Sequence, residues 1–284
     1  MEQAALAGEI LNQALPYIQR FQGSTFVIKY GGSAMQDRPS LRGVIRNVLL
    51  LQLVGIRPIL VHGGGPEIDA LAERLGKGER RSIDGLRVTD EDTMEIVEMA
   101  LAGKANKALV AEVQACGGKA IGLSGRDGGL LVGEPISEEL GRVGRILHVH
   151  PEAVQMACDH GFVPIVCPIA SDSAGSALNV NADSAAAALA GALGARKLFL
   201  LTDTAGVYGD PSDRESLISQ LGRSEARAMI TSGRASRGMI PKIEAALRAL
   251  EDGVESVHFV DGGLPNALLI EVFTDRGIGT MMSR

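Results

Sequence analysis

The chain has 284 residues, of which 45% are hydrophobic, 22% charged and 3% aromatic, and its net charge is −6. This length suits one large α/β unit or two modest domains, and the composition excludes a disordered or fibrous chain. An acidic chain without Trp or a basic run matches nucleic acid binding poorly, so no nucleic acid partner is expected.

A membrane span, a secretory signal and paired cysteines would each leave a pattern in the sequence. No apolar run approaches the ~20 residues of a membrane span, and the first ten residues carry no leading positive charge, which predicts a cytoplasmic protein without membrane contact. The three cysteines are odd in number and show no C-x-x-C spacing, so we expect neither a disulfide framework nor a zinc site.

The first 22 residues predict a helix, because Leu11, Leu15 and Ile18 fall on one helical face. An apolar stripe at a chain end must cover something. It lies either against its own domain or against another subunit.

Short runs rich in Val, Ile and Leu follow, and their continuous apolarity predicts strands buried on both faces. They occupy residues 25–30, 57–62, 119–125, 163–169, 197–203 and 256–262. Between them lie helical stripes, which are Ile68, Leu71 and Leu75, then Met94, Val97 and Leu101, and finally Ile243, Leu247 and Leu250. Pro66 is predicted in the first turn of the first helix, and Thr89 with Asp92 is predicted to form a capping box for the second.

The alternation of strands and helices predicts the α/β class, as a three-layer αβα sandwich with a mostly parallel central sheet. Residues 126–150 depart from this rhythm, because they hold Gly-rich turns between short β-like runs, and they are predicted to form hairpins inserted on the sheet. The polar stretch 170–179 is the expected domain boundary.

Glycines follow several of the predicted strands, where a doubly wound sheet binds its ligands. "GGGPEI" after residue 62 frees backbone amides at a helix start, which is typical either of an anion site or of a plain turn. "YGG" offers similar amides beside Lys29, a cation that would neutralise charge during group transfer or simply lie at the surface. Neither G-x-x-x-x-G-K-[ST] nor G-x-G-x-x-G occurs, so P-loop and NAD-type Rossmann enzymes are disfavoured.

Two later segments hold charged residues at predicted helix starts. Asn179, Asn181 and Asp183 precede a small-residue helix, where they would serve as caps or would include a buried aspartate that orients lysines. Lys242 lies in the first turn of a helix, which opposes the helix dipole unless an anion lies between.

Six segments resemble, in order, the motifs of the amino acid kinase family, which implies its two-lobed αβα fold. The segments are "IKYGG", "LVHGGGPEID", "GLRVTDEDTMEIVEMALAGKANKALV", "LNVNAD", "LLTDTAGVY" and "GMIPKIEAAL". The resemblance implies transfer of the γ-phosphoryl of ATP, with Mg²⁺ held mostly by the nucleotide. "GLRVTD" and "NVNAD" resemble the members whose acceptor is N-acetyl-L-glutamate, in arginine biosynthesis.

Residue roles follow from the same resemblance. Lys29 and Lys242 match the two lysines that grip the transferring group, Asp183 the aspartate that organises them, and Gly32 an amide donor. Acceptor-binding positions are matched by Gly64, Gly65, Arg87 and Asn179. Nucleotide-binding positions are matched by Gly31, Asp203, Gly206, Val207, Gly238 and Met239. The implied division is an oligomerisation helix (1–22), a lobe that binds acetylglutamate and dimerises (23–174) and a lobe that binds ATP (175–284).

The chain ends resemble the arginine-inhibited members, in which the N-terminal helix joins dimers into a hexamer. His258, Glu271 and Gly277 match positions that bind L-arginine, so a homo-oligomer inhibited by L-arginine is expected. Gly263 and Asn266 stand where those members tend to carry Arg and His, which leaves the strength of inhibition open. A PII signalling protein, which relieves inhibition in plant and cyanobacterial members, is a further candidate partner.

Two rival functions remain. Another kinase of this family with a different acceptor is disfavoured by Arg87 with Asn179. A silent sensor of acetylglutamate or arginine is disfavoured by the pair Lys29 and Lys242, because a sensor needs no phosphoryl clamp.

Overall fold

The computed structural model describes residues 2–31, 37–78, 81–275 and 277–284, with backbone alone for residues 2–7. The strands are, in chain order, β1 (Thr25–Tyr30), β2 (Arg57–His62), β3 (Ser82–Ile83), β4 (Leu86–Arg87), β5 (Ala120–Ser124), β6 (Leu131–Pro135), β7 (Val143–Val149), β8 (Val163–Cys167), β9 (Ile169–Ser171), β10 (Ala177–Val180), β11 (Lys197–Thr202), β12 (Ser256–Asp261) and β13 (Thr280–Ser283). The helices are α1 (Glu2–Phe21), α2 (Arg38–Leu53), α3 (Gly65–Arg74), α4 (Glu91–Glu98), α5 (Asn106–Ala115), α6 (Glu152–Asp159), α7 (Ala182–Ala192), α8 (Arg223–Thr231), α9 (Ile240–Glu251) and α10 (Ala267–Phe273).

A twisted central sheet carries the fold. Within the described ranges it has seven strands in the order β13-β12-β11-β1-β2-β8-β5, parallel except for β13, which pairs antiparallel with β12. Strands are confirmed in all six predicted runs, the fourth of which also reaches the first residue of β9. The short β13 was not predicted, because "TMMS" lacks the apolar run of a buried central strand.

Helices cover both faces of this sheet, as the three-layer prediction requires. Because strand side chains alternate between faces, Val27 and Lys29 lie on the side covered by α6, α7, α8 and α9. Phe26, Ile28 and Tyr30 lie on the opposite side, against α2, α5 and α10. A residue's position along a strand therefore decides which layer it contacts.

A small closed barrel of β6, β7, β9 and β10 is set beside the sheet, and the antiparallel pair β6–β7 confirms the hairpin predicted within residues 126–150. The barrel is so narrow that a Cβ on Gly144 would lie 2.8 Å from the Leu178 Cβ. The predicted boundary at residue 174 falls in the turn between the paired strands β9 and β10. The division into lobes remains a prediction, since β1 and β11 from opposite sides of that boundary are neighbours in one sheet.

Helix starts correct one prediction. Pro66 lies in the first turn of α3, as expected. The capping box of Thr89 and Asp92 is wrong, because the carboxylate of Asp90 caps α4 by accepting from the Thr93 amide at 2.8 Å. Thr89 is buried instead, and its hydroxyl donates to the Arg87 carbonyl at 2.8 Å.

The helix α4 continues through a π-helical segment, Met99–Ala105, into α5. A π turn is rare and often marks a functional site. Here it carries Leu101 of the predicted stripe into a buried cluster with α3 and β9.

The helix α1 covers its own chain only near its end. Phe21 is buried and packs edge-on against Phe26, and the Tyr17 hydroxyl donates to Asp275. Leu11 and Leu15 remain 71% and 50% exposed in the single chain. No described helix has both the length and the hydropathy that a membrane crossing demands.

Candidate active site

The carboxyl ends of β1 and β2 bring two glycine turns side by side. A Cβ on Gly31 would lie 3.4 Å from the Gly63 nitrogen and 3.2 Å from Lys29 Nζ. A Cβ on Gly63 would lie 4.0 Å from the Cβ of Ala182, the first residue of α7. The backbone of Gly31 therefore lies close to the Lys29 ammonium, and the Gly63 backbone lies within ordinary contact distance of the start of α7.

Asp183 joins the two candidate lysines. Its Oδ1 lies 3.1 Å from Lys29 Nζ, and its Oδ2 accepts a hydrogen bond from Lys242 Nζ at 2.8 Å. The side chains of Lys29 and Asp183 are 9% and 6% exposed, and that of Lys242 is 20% exposed. Residues far apart in sequence thus form one compact, mostly buried charge cluster.

The charges in this cluster do not balance. Burial alone would raise the pKa of Asp183, but the two ammonium groups outweigh burial and hold that pKa below its ordinary value. Burial lowers the pKa of Lys29 more than Asp183 raises it. Two lysines on one carboxylate leave an excess positive charge when both are protonated, which favours an anionic ligand at this point.

Capping and lysine orientation fall to different residues at the start of α7. Asn181 is the N-cap, and its side-chain oxygen accepts from the amides of Asp183 and Ser184 at 2.8 and 3.1 Å. Asp183 is thereby free to face the lysines. Lys242 lies in the first turn of α9, where Asp183 supplies an anion that offsets its unfavourable position against the helix dipole.

Gly63, Gly64 and Gly65 form a glycine loop at the start of α3. A Cβ on Gly64 would lie 2.3 Å from Leu101 Cδ2, so only glycine fits there without movement. Gly65 has open space at its Cβ position. The first amides of a helix have no intrahelical acceptor, and they therefore offer donors to an anion.

Arg87 is brought to this loop by the β3–β4 hairpin. The two turn residues, Asp84 and Gly85, have φ angles of 49° and 82°, as a type I′ turn requires. The Arg87 guanidinium lies 2.6 Å from Asp69 Oδ1 and donates to the Gly65 carbonyl at 3.3 Å. The structure therefore places Arg87 against the glycine loop, and its role in binding the acceptor stays a prediction.

Asn179 is tied to the same hairpin through Thr89. Its amide nitrogen donates to Thr89 Oγ1 at 3.1 Å, and Thr89 Oγ1 donates to the Arg87 carbonyl. Asn179, Thr89 and Arg87 thus form one hydrogen-bonded chain beside the glycine loop.

The candidate nucleotide residues lie after β11 and before α9. Asp203 and Gly238 are exposed, and Met239 is half-buried. Val207 is buried and its amide already donates to Thr280 Oγ1 at 2.8 Å, and a Cβ on Gly206 would lie 2.4 Å from that oxygen. Packing against β13 therefore accounts for the glycine at position 206. Gly32 lies outside the described residues.

The three residues predicted to bind an effector do come together. His258 Nδ1 lies 2.8 Å from Glu271 Oε1, and a Cβ on Gly277 would lie 3.3 Å from that oxygen. His258 Nε2 also contacts Lys197 Nζ at 2.8 Å, and burial lowers the pKa of Lys197 to about 8. The cluster lies beside the end of α1, where the Arg196 guanidinium donates to the Arg20 carbonyl at 2.8 Å.

The site contains residues to which the sequence analysis gave no role in binding or catalysis, namely His62, Asp69, Thr89 and Asn106. All four belong to the quoted motifs "LVHGGGPEID" and "GLRVTDEDTMEIVEMALAGKANKALV". The available signal was a polar residue inside a family motif.

Within the described ranges, no group of three His, Cys, Asp or Glu side chains could hold a metal ion. The Asp183 carboxylate is engaged by two lysines. These donors fit a metal that arrives with a phosphate ligand better than one held by protein alone.

Two lysines that can contact one anion, at the carboxyl edge of a parallel sheet, are typical of an enzyme that transfers an anionic group. The sequence profile of the amino acid kinase family matches residues 24–261, and the chain belongs to that family.

Two relatives within this family are acetylglutamate kinases. The acetylglutamate kinase of Methanocaldococcus jannaschii is 48% identical over 288 residues, covering 97% of this chain and 96% of that one. That of Heliobacterium modesticaldum is 48% identical over 285 residues, covering 96% of each chain.

Solved structures share the fold. An N-acetylglutamate synthase from Neisseria gonorrhoeae superposes with a TM-score of 0.85 at 28% identity, covering 97% of this chain, which spans only 63% of the synthase chain. A carbamate kinase from Giardia lamblia, at 17% identity and a TM-score of 0.66, shows the fold alone.

The charge cluster predicts a stability effect. Asp183→Asn removes the one carboxylate between two lysines, and we expect it to lower the free energy of unfolding at pH 7 by about 3–5 kcal/mol, because an uncompensated buried charge remains. Burial lowers the pKa of Lys29 below 10.5 and Asp183 raises it, so the substitution lowers that pKa further. Below pH 10.5 the unfolded variant then binds more protons than the folded variant over a wider pH range than in the wild type, so the stability of the variant rises more with pH. The deficit should therefore narrow from pH 7 to about pH 9 in urea unfolding.

The matched control is Asp252→Asn, which breaks an exposed pair with Arg248 on α9. We expect that change to cost less than about 1 kcal/mol. Equal losses in the two variants would contradict the role given to Asp183.

Proposed function

We propose that the chain transfers the γ-phosphoryl of ATP to the side-chain carboxylate of N-acetyl-L-glutamate, giving N-acetyl-L-glutamyl 5-phosphate and ADP in arginine biosynthesis. The observation that carries this proposal is the pair Lys29 and Lys242 held on Asp183 beside the glycine loop. The names of the two kinase relatives support the same acceptor.

The chemistry needs charge neutralisation more than proton transfer. A deprotonated carboxylate attacks phosphorus without a general base, but it must approach an anion. Lys29 and Lys242, each held by a different oxygen of Asp183, would contact the transferring phosphoryl group. Backbone amides of the glycine loop would donate further hydrogen bonds to it. Mg²⁺ bound to the nucleotide would neutralise its phosphate oxygens.

Selection of the acceptor is assigned to Arg87 and Asn179. Arg87 already binds the Asp69 carboxylate, so its guanidinium is oriented for a second planar carboxylate. The Thr89 hydroxyl links Asn179 to Arg87 through two hydrogen bonds. This link would fix the distance between the two side chains that bind polar groups of the acceptor.

An acceptor screen tests the proposal. Incubation with ATP and hydroxylamine should give a hydroxamate with N-acetylglutamate and not with glutamate, aspartate or carbamate, and UMP should not stimulate ATP consumption. Turnover with one of those compounds alone would favour another kinase of the family. Binding of acetylglutamate without any hydroxamate would favour a silent sensor and contradict the proposal.

Loss of one lysine should be costly for catalysis. We expect Lys29→Ala to remain folded and to lower kcat at least tenfold, with about a hundredfold loss if one donor contributes on the order of 3 kcal/mol. Lys119→Ala is the matched control and should retain full activity, because Lys119 is exposed and lies immediately before β5. A folded, fully active Lys29→Ala variant would contradict the assignment.

Oligomerisation and inhibition form a further part of the proposal. The uncovered Leu11 and Leu15 of α1 favour packing against a second copy of the chain, since large exposed apolar side chains on one helix face are typical of an interface. Binding of L-arginine at His258, Glu271 and Gly277 is supported by their convergence and by a fold neighbour, the gonococcal synthase solved with L-arginine, TM-score 0.81. PII binding remains a prediction.

Deletion of residues 1–20 tests the helix. We expect a smaller oligomer in mass photometry with catalysis retained, and weaker inhibition by L-arginine because Tyr17 and Arg20 lie beside the effector cluster. The double variant Leu11→Ser and Leu15→Ser preserves chain length and should reduce the oligomer in the same way. An unchanged mass in both would show that α1 covers only its own domain.

A further inference from the structure

His62 is the last residue of β2 and is completely buried. Lys29 points toward α7 and α9, whereas His62 points to the opposite face of the sheet and contacts Asn106 at the start of α5. It therefore cannot touch a phosphoryl group held by Lys29 and Lys242. Its polar ring on the far side of the sheet needs another explanation.

The hydrogen bonds of the ring define its tautomer. His62 Nδ1 lies 2.7 Å from the Gly63 carbonyl, which can only accept, so Nδ1 carries the proton. His62 Nε2 then accepts from the Asn106 amide at 3.2 Å. Burial lowers the pKa of His62 to about 4, so the ring is neutral at physiological pH and keeps this tautomer.

Asn106 is in turn fixed completely. Its second amide hydrogen is directed to the Ile165 carbonyl at 2.8 Å, and its oxygen accepts from Lys107 Nζ at 3.1 Å. A Cβ on Gly122 would lie 1.9 Å from that oxygen, so the neighbouring strand β5 leaves space only for glycine. The side chain therefore has one orientation, and so does the ring that it holds.

The π-helical segment brings both contacts to the glycine loop. Leu101, within it, fills the space beside Gly64, and Asn106 follows directly after its end. One helix thus contacts the loop at Gly64 and holds the ring that binds the Gly63 carbonyl.

Because the peptide unit is planar, the contact between His62 and the Gly63 carbonyl also fixes the direction of the Gly64 amide. The carbonyl of Gly63 and the amide hydrogen of Gly64 belong to one trans peptide unit and point in opposite directions. Because the carbonyl points at the buried ring of His62, the Gly64 amide points away from it. Since His62 and the lysine cluster lie on opposite faces of the sheet, the direction away from the ring is the direction toward the side of the lysine cluster.

We propose that His62 and Asn106 are positioning residues that hold the glycine loop with its amides turned toward the acceptor carboxylate. The role rests on the proposed function and deepens it. His62 acts through the Gly63 carbonyl and does not contact substrate.

Two substitutions separate the functions of the ring nitrogens. His62→Gln places its amide near the Nε2 position and loses the donor to Gly63, so we expect the KM for N-acetylglutamate to rise about tenfold, as for one orphaned buried carbonyl, with the KM for ATP within about twofold. His62→Asn keeps a donor at the Nδ1 position and should restore the acceptor KM to within about threefold of the wild-type value. The assay is steady-state hydroxamate formation with each substrate varied.

Asn47→Ala is the matched control, because it removes the hydrogen bond that the buried Asn47 donates to Asn266, on the same side of the sheet, without touching the loop. It should lower thermal stability and leave both KM values unchanged. Equal KM effects for both substrates in His62→Gln, or a His62→Asn variant as impaired as His62→Gln, would overturn the role of His62.

Two further measurements apply if the His62 variants do not fold or if the wild-type chain lacks the proposed activity. If the His62 variants do not fold, ¹⁵N NMR of the wild-type imidazoles decides, since an Nε2–H tautomer of His62 would overturn the proposal and the Nδ1–H tautomer would support it. A wild-type chain without acetylglutamate-dependent hydroxamate would overturn the proposed function itself, whereas normal wild-type turnover with unselective KM effects would overturn only the positioning role.

Discussion

The structure depends on one buried carboxylate shared by two lysines. Burying charge is costly, and the cost is offset only if partners are close and well placed. Asp183 meets that condition with Lys29 from β1 and Lys242 from α9. The pairing links the first strand, the small-residue helix α7 and a late helix. It also leaves an excess positive charge, which turns a structural contact into a site for an anion.

The central sheet divides the machinery between its two faces. Even-numbered and odd-numbered residues of β1 contact different layers, so Lys29 reaches α7 while Ile28 and Tyr30 reach the opposite core. The ends of β1 and β2 then place a charge cluster on one side and the His62–Asn106 pair on the other. The glycine loop follows β2 directly, and the Gly63 carbonyl contacts His62 while a Cβ on Gly63 would lie 4.0 Å from the first residue of α7.

Most of the fold was predictable because burial leaves a strong pattern. Strands covered on both sides read as unbroken apolar runs, and β1 and β2 were predicted with the boundaries that the structure shows. Polar residues were harder to interpret. Thr89 and Asp90 are both good caps, but Asp90 is the cap, whereas Thr89 pairs with Gly141 in a β-bridge and accepts from the Asn179 amide. These contacts of Thr89 are distant in sequence, so the local pattern does not contain them.

The sequence by itself determined the sandwich, the glycine turns at strand ends and, through family motifs, the identity of the candidate site residues. Only the tertiary structure decided their relations: that Asn181 caps α7 while Asp183 faces the lysines, that Arg87 lies on Asp69, and that His62 reaches Asn106. Periodicity records which side of an element is buried. It does not record which distant group shares that burial, because contacts such as Lys29 to Asp183 arise from sheet order and helix packing.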